Sequence, residues 1–344
     1  MRAFIFNFKR LFYVFNRHIL KTVLKGNFRK PPHFIWTILK HKVFKTPYLA
    51  MLETCNFCNL RCPTCTTPQS KITRQKEILS FENCKKIIDN IKNDISVLLP
   101  WFSNEPLLNS DLSEIIKYAA ENNIYTMVST NAVLLTEKKG RELIEAGLDE
   151  ILLCLDGTSR RSYEPFREGA DFEIILENIK NFCALRREYG KKMPFVELQF
   201  ILTKLNQNEV GEIRRLAKES KVDRLRVKSF ALSEYAYSKK EIKDLTERFL
   251  PDSEEYKSKI RYKKENGELS LKNKKNFCGL VFSNIVILTD GRISMCCYDL
   301  NGERAYKGNL LNKNLKQIWN LEENKSLRCE ASRRGFPLCK ICAN

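Results

Sequence analysis

Residues 48–65 read YLAMLETCNFCNLRCPTC, and this stretch decides the fold of the 344-residue chain. It opens with a short apolar run, typical of a buried strand, and then places Cys55, Cys58, Cys62 and Cys65 directly after that run. In parallel α/β folds, the loops at the carboxyl ends of the strands carry the chemistry. The stretch therefore predicts a first strand that leads into a cysteine-rich functional loop.

Strand-like and helical patterns alternate after this loop. The other apolar runs lie at 95–102, 124–130, 150–156, 195–203 and 223–230, and the helical patterns at 81–92, 111–122, 136–146, 171–189 and 207–220. Six strands separated by helices predict βαβ units and a parallel sheet. Periodicity alone leaves two arrangements open, a barrel or partial barrel and an open doubly wound sheet.

Composition divides the chain into four segments. Residues 1–47 form a basic N-terminal arm, 48–235 the alternating α/β core, 236–275 a charged helix and linker, and 276–344 a small cysteine-rich α+β domain. No apolar run reaches the length of about 18 residues that a transmembrane helix needs. We therefore expect a globular protein without a transmembrane helix.

The net charge of +19 is concentrated in the arm. Residues 1–52 contain eleven Lys and Arg and no Asp or Glu. Apolar residues recur there at helical spacing, at Ile5, Phe8, Phe12, Phe15, Ile19 and Val23, and a second helix is predicted from His33 to Lys45. Such a segment fits either an interfacial helix at an anionic membrane surface or an arm packed on its own domain. Nucleic-acid binding has only the charge in its favour and is not expected.

Histidine and cysteine usage excludes several classes of protein. All three histidines lie before residue 42, so the main body contains no imidazole for acid/base catalysis or metal ligation. The thirteen cysteines are an odd number, and Lys9, Arg10 and Arg17 interrupt the apolar residues that a secretory signal would need. A secreted disulfide framework is therefore disfavoured, and a cytoplasmic protein is expected.

Nine of the cysteines fall into two groups, at 55, 58, 62 and 65 and at 278, 296, 297, 339 and 342. Such groups bind structural zinc or iron–sulfur clusters. The spacing Cys58-x3-Cys62-x2-Cys65 favours the second, because three thiolates on a [4Fe–4S] cluster leave one iron open for a substrate or cofactor. Cys55 is more simply explained as a buried thiol.

The run CNLRCPTC, residues 58–65, closely resembles the signature of the radical S-adenosylmethionine (radical SAM) superfamily. The resemblance implies a partial (β/α)6 TIM-like barrel in which Cys58, Cys62 and Cys65 bind a [4Fe–4S] cluster and the open iron chelates SAM. It also implies reductive cleavage of SAM to a 5′-deoxyadenosyl radical that abstracts hydrogen from a substrate.

Four later segments resemble SAM-binding motifs of the same family. They are Ser103-Asn104-Glu105-Pro106, Ser129-Thr130-Asn131, Cys154-Leu155-Asp156-Gly157 and the arginine of YEPFREGADFE. Glu105 would receive the SAM ammonium, and Arg167 would reach its carboxylate. The cofactor-binding residues that the resemblance implies are Ser103, Asn104, Glu105, Ser129, Asn131, Cys154, Asp156 and Arg167.

The tail resembles the SPASM/Twitch extension of this superfamily, through Cys278-x12-Gly291-x4-Cys296 and Cys339-x2-Cys342. These four cysteines would hold one auxiliary [4Fe–4S] cluster, while Cys297 and Cys329 stay unassigned. A zinc ribbon is the alternative. Asp290-Gly291 predicts a tight hairpin turn that places Cys278 and Cys296 on adjacent strands.

The expected function is a radical SAM oxidoreductase or modifying enzyme. A closed auxiliary cluster suits net oxidation or dehydrogenation of a sugar, an alcohol or a lipid-linked substrate. The alternative is a peptide or protein maturase, and a remote one is a non-catalytic zinc- or cluster-bearing module that binds nucleic acid. Expected partners are the small-molecule, lipid-linked or peptide substrate, an electron donor such as ferredoxin or flavodoxin, and an anionic membrane surface at residues 1–47. The expected location is cytoplasmic, peripheral at the inner membrane surface.

Overall fold

The computed structural model describes residues 30–69, 71–190, 193–232, 237–256, 260–265, 268–273, 275–340 and 342. The amphipathic stripe predicted from Ile5 to Val23 lies outside these residues. Within the described ranges, no helix combines the length and the apolar composition that crossing a bilayer requires.

A nine-stranded sheet forms the centre of the molecule. Its first six strands are β1 (Leu49–Leu52), β2 (Val97–Leu99), β3 (Tyr125–Thr130), β4 (Glu150–Cys154), β5 (Phe195–Leu202) and β6 (Arg224–Ser229). They lie side by side in chain order and every neighbouring pair is parallel. Each predicted strand contains one of them. This order matches the partial TIM-like barrel, and the sheet does not close.

Helices follow the strands as the periodicity predicts. They are α2 (Phe81–Ile91), α3 (Leu112–Glu121), α4 (Glu137–Glu145), the short α5 (Arg160–Tyr163), α6 (Phe172–Glu188) and α7 (Val210–Glu219), and a 3-10 turn spans Pro106–Leu108. Side chains cap several of their first turns. Ser80 accepts from Asn83 N, and Asp171 accepts from two backbone N–H groups of α6. Such caps fix where these helices begin.

The strands present two chemically different faces. Val128, Ile151 and Leu198 pack with the helices in one fully buried apolar core. Residues one position away point to the opposite, concave side of the sheet. On β1 to β3 that side is apolar, and on β4 to β6 it is largely polar, with Glu197 and Gln199 buried.

The helix predicted from His33 to Lys45 is present as α1 (Lys30–Phe44). Its Phe34 packs against apolar residues on the concave side of β2 and β3. His33 Nε2 lies 3.0 Å from the carbonyl O of Ile95, and Lys40 pairs with Asp94 at 3.1 Å. Because Ile95 and Asp94 precede β2, α1 lies at the amino ends of the strands, opposite the cysteine loop.

The charged segment 236–275 contains more structure than the predicted helix and linker. Helix α8 (Lys239–Phe249) is followed by a 3-10 turn (Glu254–Tyr256) and by a hairpin of β7 (Tyr262–Glu265) and β8 (Glu268–Leu271), which was not predicted. Tyr262 and Leu271 join α8 in a separate apolar cluster beside β6. The segment therefore packs at the β6 side of the barrel.

The cysteine-rich tail continues the barrel sheet. It contains α9 (Leu280–Ser283), β9 (Asn284–Ile287), β10 (Arg292–Ser294), β11 (Ala305–Asn309), α10 (Leu315–Trp319), α11 (Glu322–Ser332) and α12 (Pro337–Lys340). Strand β9 pairs in parallel with β1, and β10 and β11 add to it antiparallel. The tail is thus attached directly to the strand that precedes the first cysteine loop.

The predicted turn at Asp290-Gly291 joins β9 and β10. Gly291 has φ +80°, and a Cβ there would lie 2.5 Å from Asn309 Oδ1. The prediction that Cys278 and Cys296 lie on adjacent strands was wrong. Cys278 precedes the short helix α9, and Cys296 follows the end of β10, so both lie at the margin of the hairpin.

Candidate iron–sulfur and SAM site

The loop from Cys58 to Cys65 begins four residues after Thr54, beyond the carboxyl end of β1. A turn with Cys65 N donating to Cys62 O at 3.1 Å shapes its second half. Arg61 N donates to Glu168 O at 2.7 Å, and Tyr237 Oη donates to Pro63 O at 3.4 Å. The loop is therefore fixed at the barrel mouth by contacts from two other parts of the chain.

Hydrogen-bond donors point at two of the loop sulfurs. Leu60 N lies 3.5 Å and Asn131 Nδ2 lies 3.7 Å from Cys58 Sγ, and Arg167 Nη1 lies 3.8 Å from Cys62 Sγ. Burial raises the pKa of Cys58 to about 12 and also raises that of Cys65. Cys62 is buried and Cys58 and Cys65 are partly buried. Sulfurs in such a setting, with N–H donors beside them, suit thiolates whose charge is offset by bound iron, so this donor set fits an iron–sulfur cluster.

Cys55 does not share this environment. Its side chain is fully buried, its thiol donates to the backbone O of Glu105 at 3.4 Å, and Asn104 Nδ2 donates to its sulfur at 3.2 Å. It thus packs between the ends of β1 and β2. Across the described ranges, no group of three or more His, Cys, Asp and Glu side chains has the arrangement of a site for one metal ion.

Glu105 connects the ends of β2 and β3. Its carboxylate accepts from Thr130 Oγ1 at 2.7 Å, from Asn131 N at 2.8 Å and from Leu107 N at 3.1 Å. The side chain is buried, and burial raises its pKa to about 7 in spite of these donors. A buried carboxylate of this kind can receive an ammonium group, which would stabilise its ionised form.

The residues before Glu105 support the loop. Thr67 Oγ1 donates to Ser103 O at 2.6 Å. Asn104 Oδ1 accepts from Phe102 N at 2.8 Å, while its Nδ2 reaches Thr54 and Cys55. Thr67 Oγ1 also lies 2.7 Å from Ser103 Oγ, so the side chains of Ser103 and Asn104 are both engaged with the walls of the mouth.

Asp156 and Arg167 form an ion pair at the end of β4, in which Asp156 is fully buried and Arg167 is partly exposed. Arg167 extends from this pair toward Cys62, while the other oxygen of Asp156 accepts from Ile201 N at 2.5 Å. Asp156 therefore positions Arg167 beside the cysteine loop. Together, the elements bring Cys58, Cys62, Cys65, Glu105, Asn131 and Arg167 to one end of the barrel.

Cys154 is the last residue of β4 and lies on the concave side of the sheet, two residues before Asp156. Ser129 Oγ and Cys154 Sγ are 3.8 Å apart, and Gln199 Nε2 donates to the same sulfur at 3.7 Å. Lys228 in turn hydrogen-bonds to Gln199 Oε1. The predicted pair Ser129 and Cys154 thus belongs to a polar patch that continues onto β5 and β6.

The polar side chains on the concave side of β5 and β6 were not predicted from the sequence. Arg226 pairs with the buried Glu197 at 2.8 Å, and Arg224 pairs with the same carboxylate. The signal was present in the sequence, because Arg224, Arg226 and Lys228 alternate with apolar residues at the spacing of one strand face. These basic residues line the interior of the barrel, where a substrate would lie.

A second cysteine site lies in the tail. Cys278, Cys296, Cys339 and Cys342 line one cavity of about 70 Å³, together with Cys297. The structure therefore brings together the four cysteines assigned to an auxiliary cluster and adds Cys297, which was left unassigned. Cys329 is exposed on α11 and lies apart from them.

Backbone contacts hold this second site in shape. Arg334 Nη1 donates to the carbonyl O of Cys339 and of Cys342, at 3.0 Å each, and Tyr298 N lies 3.4 Å from Cys296 Sγ. Met51 of β1 lines the same cavity. The donor set fits a thiolate-ligated cluster, placed against the first barrel strand.

Comparison with known proteins agrees with both sites. A family model described as the radical SAM superfamily matches residues 52–217, and a model described as an iron–sulfur cluster-binding domain, SPASM, matches residues 278–344. The first range contains the first cysteine loop and the strand ends around it. The second contains all the cysteines of the tail cavity.

Curated relatives and solved structures resemble parts of the chain or its fold. The Fe-coproporphyrin III synthase of Methanosarcina barkeri is 32% identical over 170 residues, which cover 49% of this chain and 40% of that protein. The PqqA peptide cyclase of Bradyrhizobium diazoefficiens is 34% identical over 117 residues, which cover 34% of this chain and 30% of that protein. The matches span less than half of these relatives' own length. The crystal structure of Streptococcus suis SuiB bound to precursor peptide SuiA superimposes with a TM-score of 0.61 at 16% identity, covering 95% of this chain and 84% of that chain; it shows a shared fold.

Proposed function

This chain belongs to the radical SAM superfamily and carries a C-terminal SPASM domain, and we propose that it cleaves SAM reductively to modify a peptide substrate. The radical SAM domain implies a [4Fe–4S] cluster and SAM, and the SPASM domain implies auxiliary iron–sulfur cluster binding. The observation that carries the proposal is the convergence of Cys58, Cys62, Cys65, Glu105 and Arg167 at one end of the barrel.

The residues of the mouth have separate tasks in this proposal. Cys58, Cys62 and Cys65 would hold the SAM-binding cluster. When bound, the cluster supplies one electron that breaks the sulfur–C5′ bond of SAM, and the 5′-deoxyadenosyl radical takes a hydrogen atom from the substrate. Glu105 would receive the SAM ammonium, and Arg167, oriented by Asp156, would face its carboxylate. Neither residue exchanges a proton in this scheme.

A peptide is the proposed substrate because of the curated relatives. The sequence analysis favours a sugar, an alcohol or a lipid-linked substrate, with a peptide maturase as the alternative. The PqqA peptide cyclase matches at 34% identity, which supports the alternative better.

The tail site would serve electron transfer. Four thiolates from Cys278, Cys296, Cys339 and Cys342 would fill every corner of a four-iron cluster and leave it no open iron. Such a cluster would accept an electron from a substrate radical, so we propose a net oxidation. The external electron donor would be a small redox protein such as ferredoxin or flavodoxin, and an anionic membrane surface remains the proposed partner of residues 1–47.

Product analysis tests the proposal. The anaerobically reconstituted protein is incubated with SAM and dithionite, and 5′-deoxyadenosine is quantified. The proposal predicts its release by the wild type and its loss in the Cys58→Ala variant, while Cys84→Ala, a buried thiol of α2, serves as the matched control. Candidate peptides deuterated at side-chain carbons should transfer deuterium into 5′-deoxyadenosine. Transfer from deuterated sugars with none from peptides would instead favour the sugar substrate.

A further inference from the structure

Helix α1 carries an unusual amount of exposed apolar surface. Eight large apolar side chains are exposed among the described residues, and half of them lie within nine positions of this helix. They are Ile35, Trp36, Leu39 and Val43, with exposed fractions of 44%, 57%, 49% and 69%. We call these four residues the α1 stripe.

The α1 stripe lies on the side of the helix opposite to the barrel. Phe34 and Thr37 are buried, and Ile38 packs with Phe34 on the concave side of the sheet. At about 100° per residue, the α1 stripe centres about half a turn away from these three. Burial in the protein core therefore does not account for the apolar character of this second face.

Basic residues border the α1 stripe. Lys40 lies on one flank, where it pairs with Asp94 and stacks over Trp36 at 5.7 Å, and the exposed Lys42 lies on the other. The sequence from residue 1 to residue 52 contains eleven basic residues and no acidic one. An apolar stripe between lysines, within a segment that has no negative charge, is the pattern of a helix at an anionic bilayer surface.

We propose that the α1 stripe docks the protein on an anionic membrane and that the catalytic mouth then faces away from the bilayer. A second copy of this chain is the less suitable occupant, because two chains that each carry +19 repel one another at their most basic segments. An anionic bilayer offers negative charge and an apolar interior on one flat surface, which matches both features of α1.

The orientation follows from the position of α1 in the fold. The helix lies at the amino end of β2, next to Ile95, whereas the cysteine loop and Glu105 lie beyond the carboxyl ends of the strands. The six residues of β3 separate the two ends by about 20 Å, and α1 itself adds about 10 Å. The mouth would then open into the aqueous phase, about 30 Å from the bilayer.

This orientation bears on the substrate. It rests on the proposed function only in taking the carboxyl ends of the strands as the catalytic mouth. A substrate embedded in the bilayer could not reach that mouth, while a water-soluble peptide could. Docking would thus place the enzyme at the membrane without making the lipid its substrate.

Vesicle flotation of the full chain tests the docking. The probes are vesicles of phosphatidylcholine alone and of phosphatidylcholine with about one third phosphatidylglycerol. Wild type is expected to bind the anionic vesicles and not the neutral ones, and Leu39→Ser is expected to bind about tenfold more weakly. Ile174→Ser is the matched control, because Ile174 is also apolar, helical and 52% exposed, and it should bind like wild type.

Three outcomes would overturn the proposal. They are no binding of wild type to anionic vesicles, equal binding by Leu39→Ser and wild type, and a self-association that Leu39→Ser abolishes without any vesicle binding. Flotation needs no SAM and no turnover, so its failure would leave the proposed reaction intact. Loss of 5′-deoxyadenosine formation would conversely leave the docking result intact.

Fluorescence tests the orientation. Brominated anionic lipids should quench Trp36 in the wild type and lose this effect in Trp36→Phe. Lys240 is exposed on α8, which begins just after Tyr237, a residue in contact with Pro63 of the cysteine loop. In the double variant Trp36→Phe/Lys240→Trp, the new indole should not be quenched. Quenching at position 240 would show that the mouth faces the bilayer and would refute the orientation.

Discussion

Glu105→Gln tests the proposed SAM-binding role of Glu105 separately from its effect on the stability of the barrel. The carboxyl is buried, and its pKa rises from an ordinary value of 4.5 to about 7 through burial. Because the pKa of Glu105 is higher in the folded state than in the unfolded state, protonation of this carboxyl stabilises the folded state, and the stabilisation is complete only below pH 4.5. That contribution is lost as the pH rises through 7, because the folded protein must then ionise a buried group.

The expected size of the effect follows from these two pKa values. At about 1.36 kcal/mol per pH unit, the difference between 4.5 and about 7 corresponds to about 3 kcal/mol at pH 8. Gln does not ionise, so the free energy of unfolding of the Glu105→Gln variant should not fall for this reason over the same pH range. Gln also loses the acceptor for Asn131 N, a pH-independent cost of about 1 kcal/mol. About 0.8 kcal/mol of this change is already complete at pH 5, so without SAM the stability of Glu105→Gln should rise relative to wild type by about 2.5 kcal/mol between pH 5 and pH 8.

The same variant should lose SAM. Removing the charge that receives a buried ammonium costs about 3 kcal/mol, which is a loss in affinity of about 100-fold. Wild-type affinity should also fall as the pH drops below 7, because the protonated carboxyl cannot pair with the ammonium. Urea unfolding between pH 5 and 8 measures the first effect, and anaerobic calorimetry with SAM measures the second.

Glu53→Gln is the matched control. Glu53 is equally buried but pairs with Arg74 at 2.7 Å, so this change should destabilise the protein and leave SAM affinity unchanged. Parallel stability profiles of Glu105→Gln and wild type across pH would refute the raised pKa. If Glu105→Gln bound SAM as tightly as the wild type, Glu105 could not be the residue that receives the SAM ammonium.

Two further substitutions test the contacts that hold the two cysteine sites in shape. Asp156→Asn should leave the partly exposed Arg167 without its carboxylate and lower the free energy of unfolding by about 3 kcal/mol in urea denaturation, because Asp156 itself is fully buried. Arg160→Ala, at an exposed pair, should leave the free energy of unfolding nearly unchanged. Equal effects of the two substitutions would argue against a stabilising Asp156–Arg167 pair. Gly291→Ala should lower the free energy of unfolding by about 3 kcal/mol and reduce iron retention in the tail, because φ is +80° and the new Cβ would meet Asn309 Oδ1. Gly211→Ala in α7 is the control, because a Cβ there has open space, and this change should be neutral or slightly stabilising. A neutral effect of Gly291→Ala would contradict a strained turn at this position.

Local sequence signals predicted the repeating part of the fold well. Apolar runs and caps such as Ser80 and Asp171 have local physical causes, so strands β1 to β6 and the helices between them could be placed within a few residues. The pairing of β9 with β1 could not, because it joins Leu49 to Asn284 and leaves no mark in either stretch alone. The β7–β8 hairpin was missed because its charged residues hide the strand pattern.

The candidate site, like the fold, could be predicted from the sequence only in part. Cysteine spacing is a local property, so the three loop cysteines and the four tail cysteines could be assigned from the sequence. The contact of Arg167 with Cys62 and the entry of Cys297 into the tail cavity depend on how distant segments pack. Those contacts became visible only with the side chains in place.

Iron content distinguishes two iron–sulfur clusters from structural zinc in a single measurement. Two four-iron clusters would give about eight irons per chain after anaerobic reconstitution. A variant with Cys58, Cys62 and Cys65 all changed to Ala should retain about four, and so should one with Cys278, Cys296, Cys339 and Cys342 changed to Ala. Zinc in place of iron, or an iron content that neither variant lowers, would contradict the assignment of two clusters.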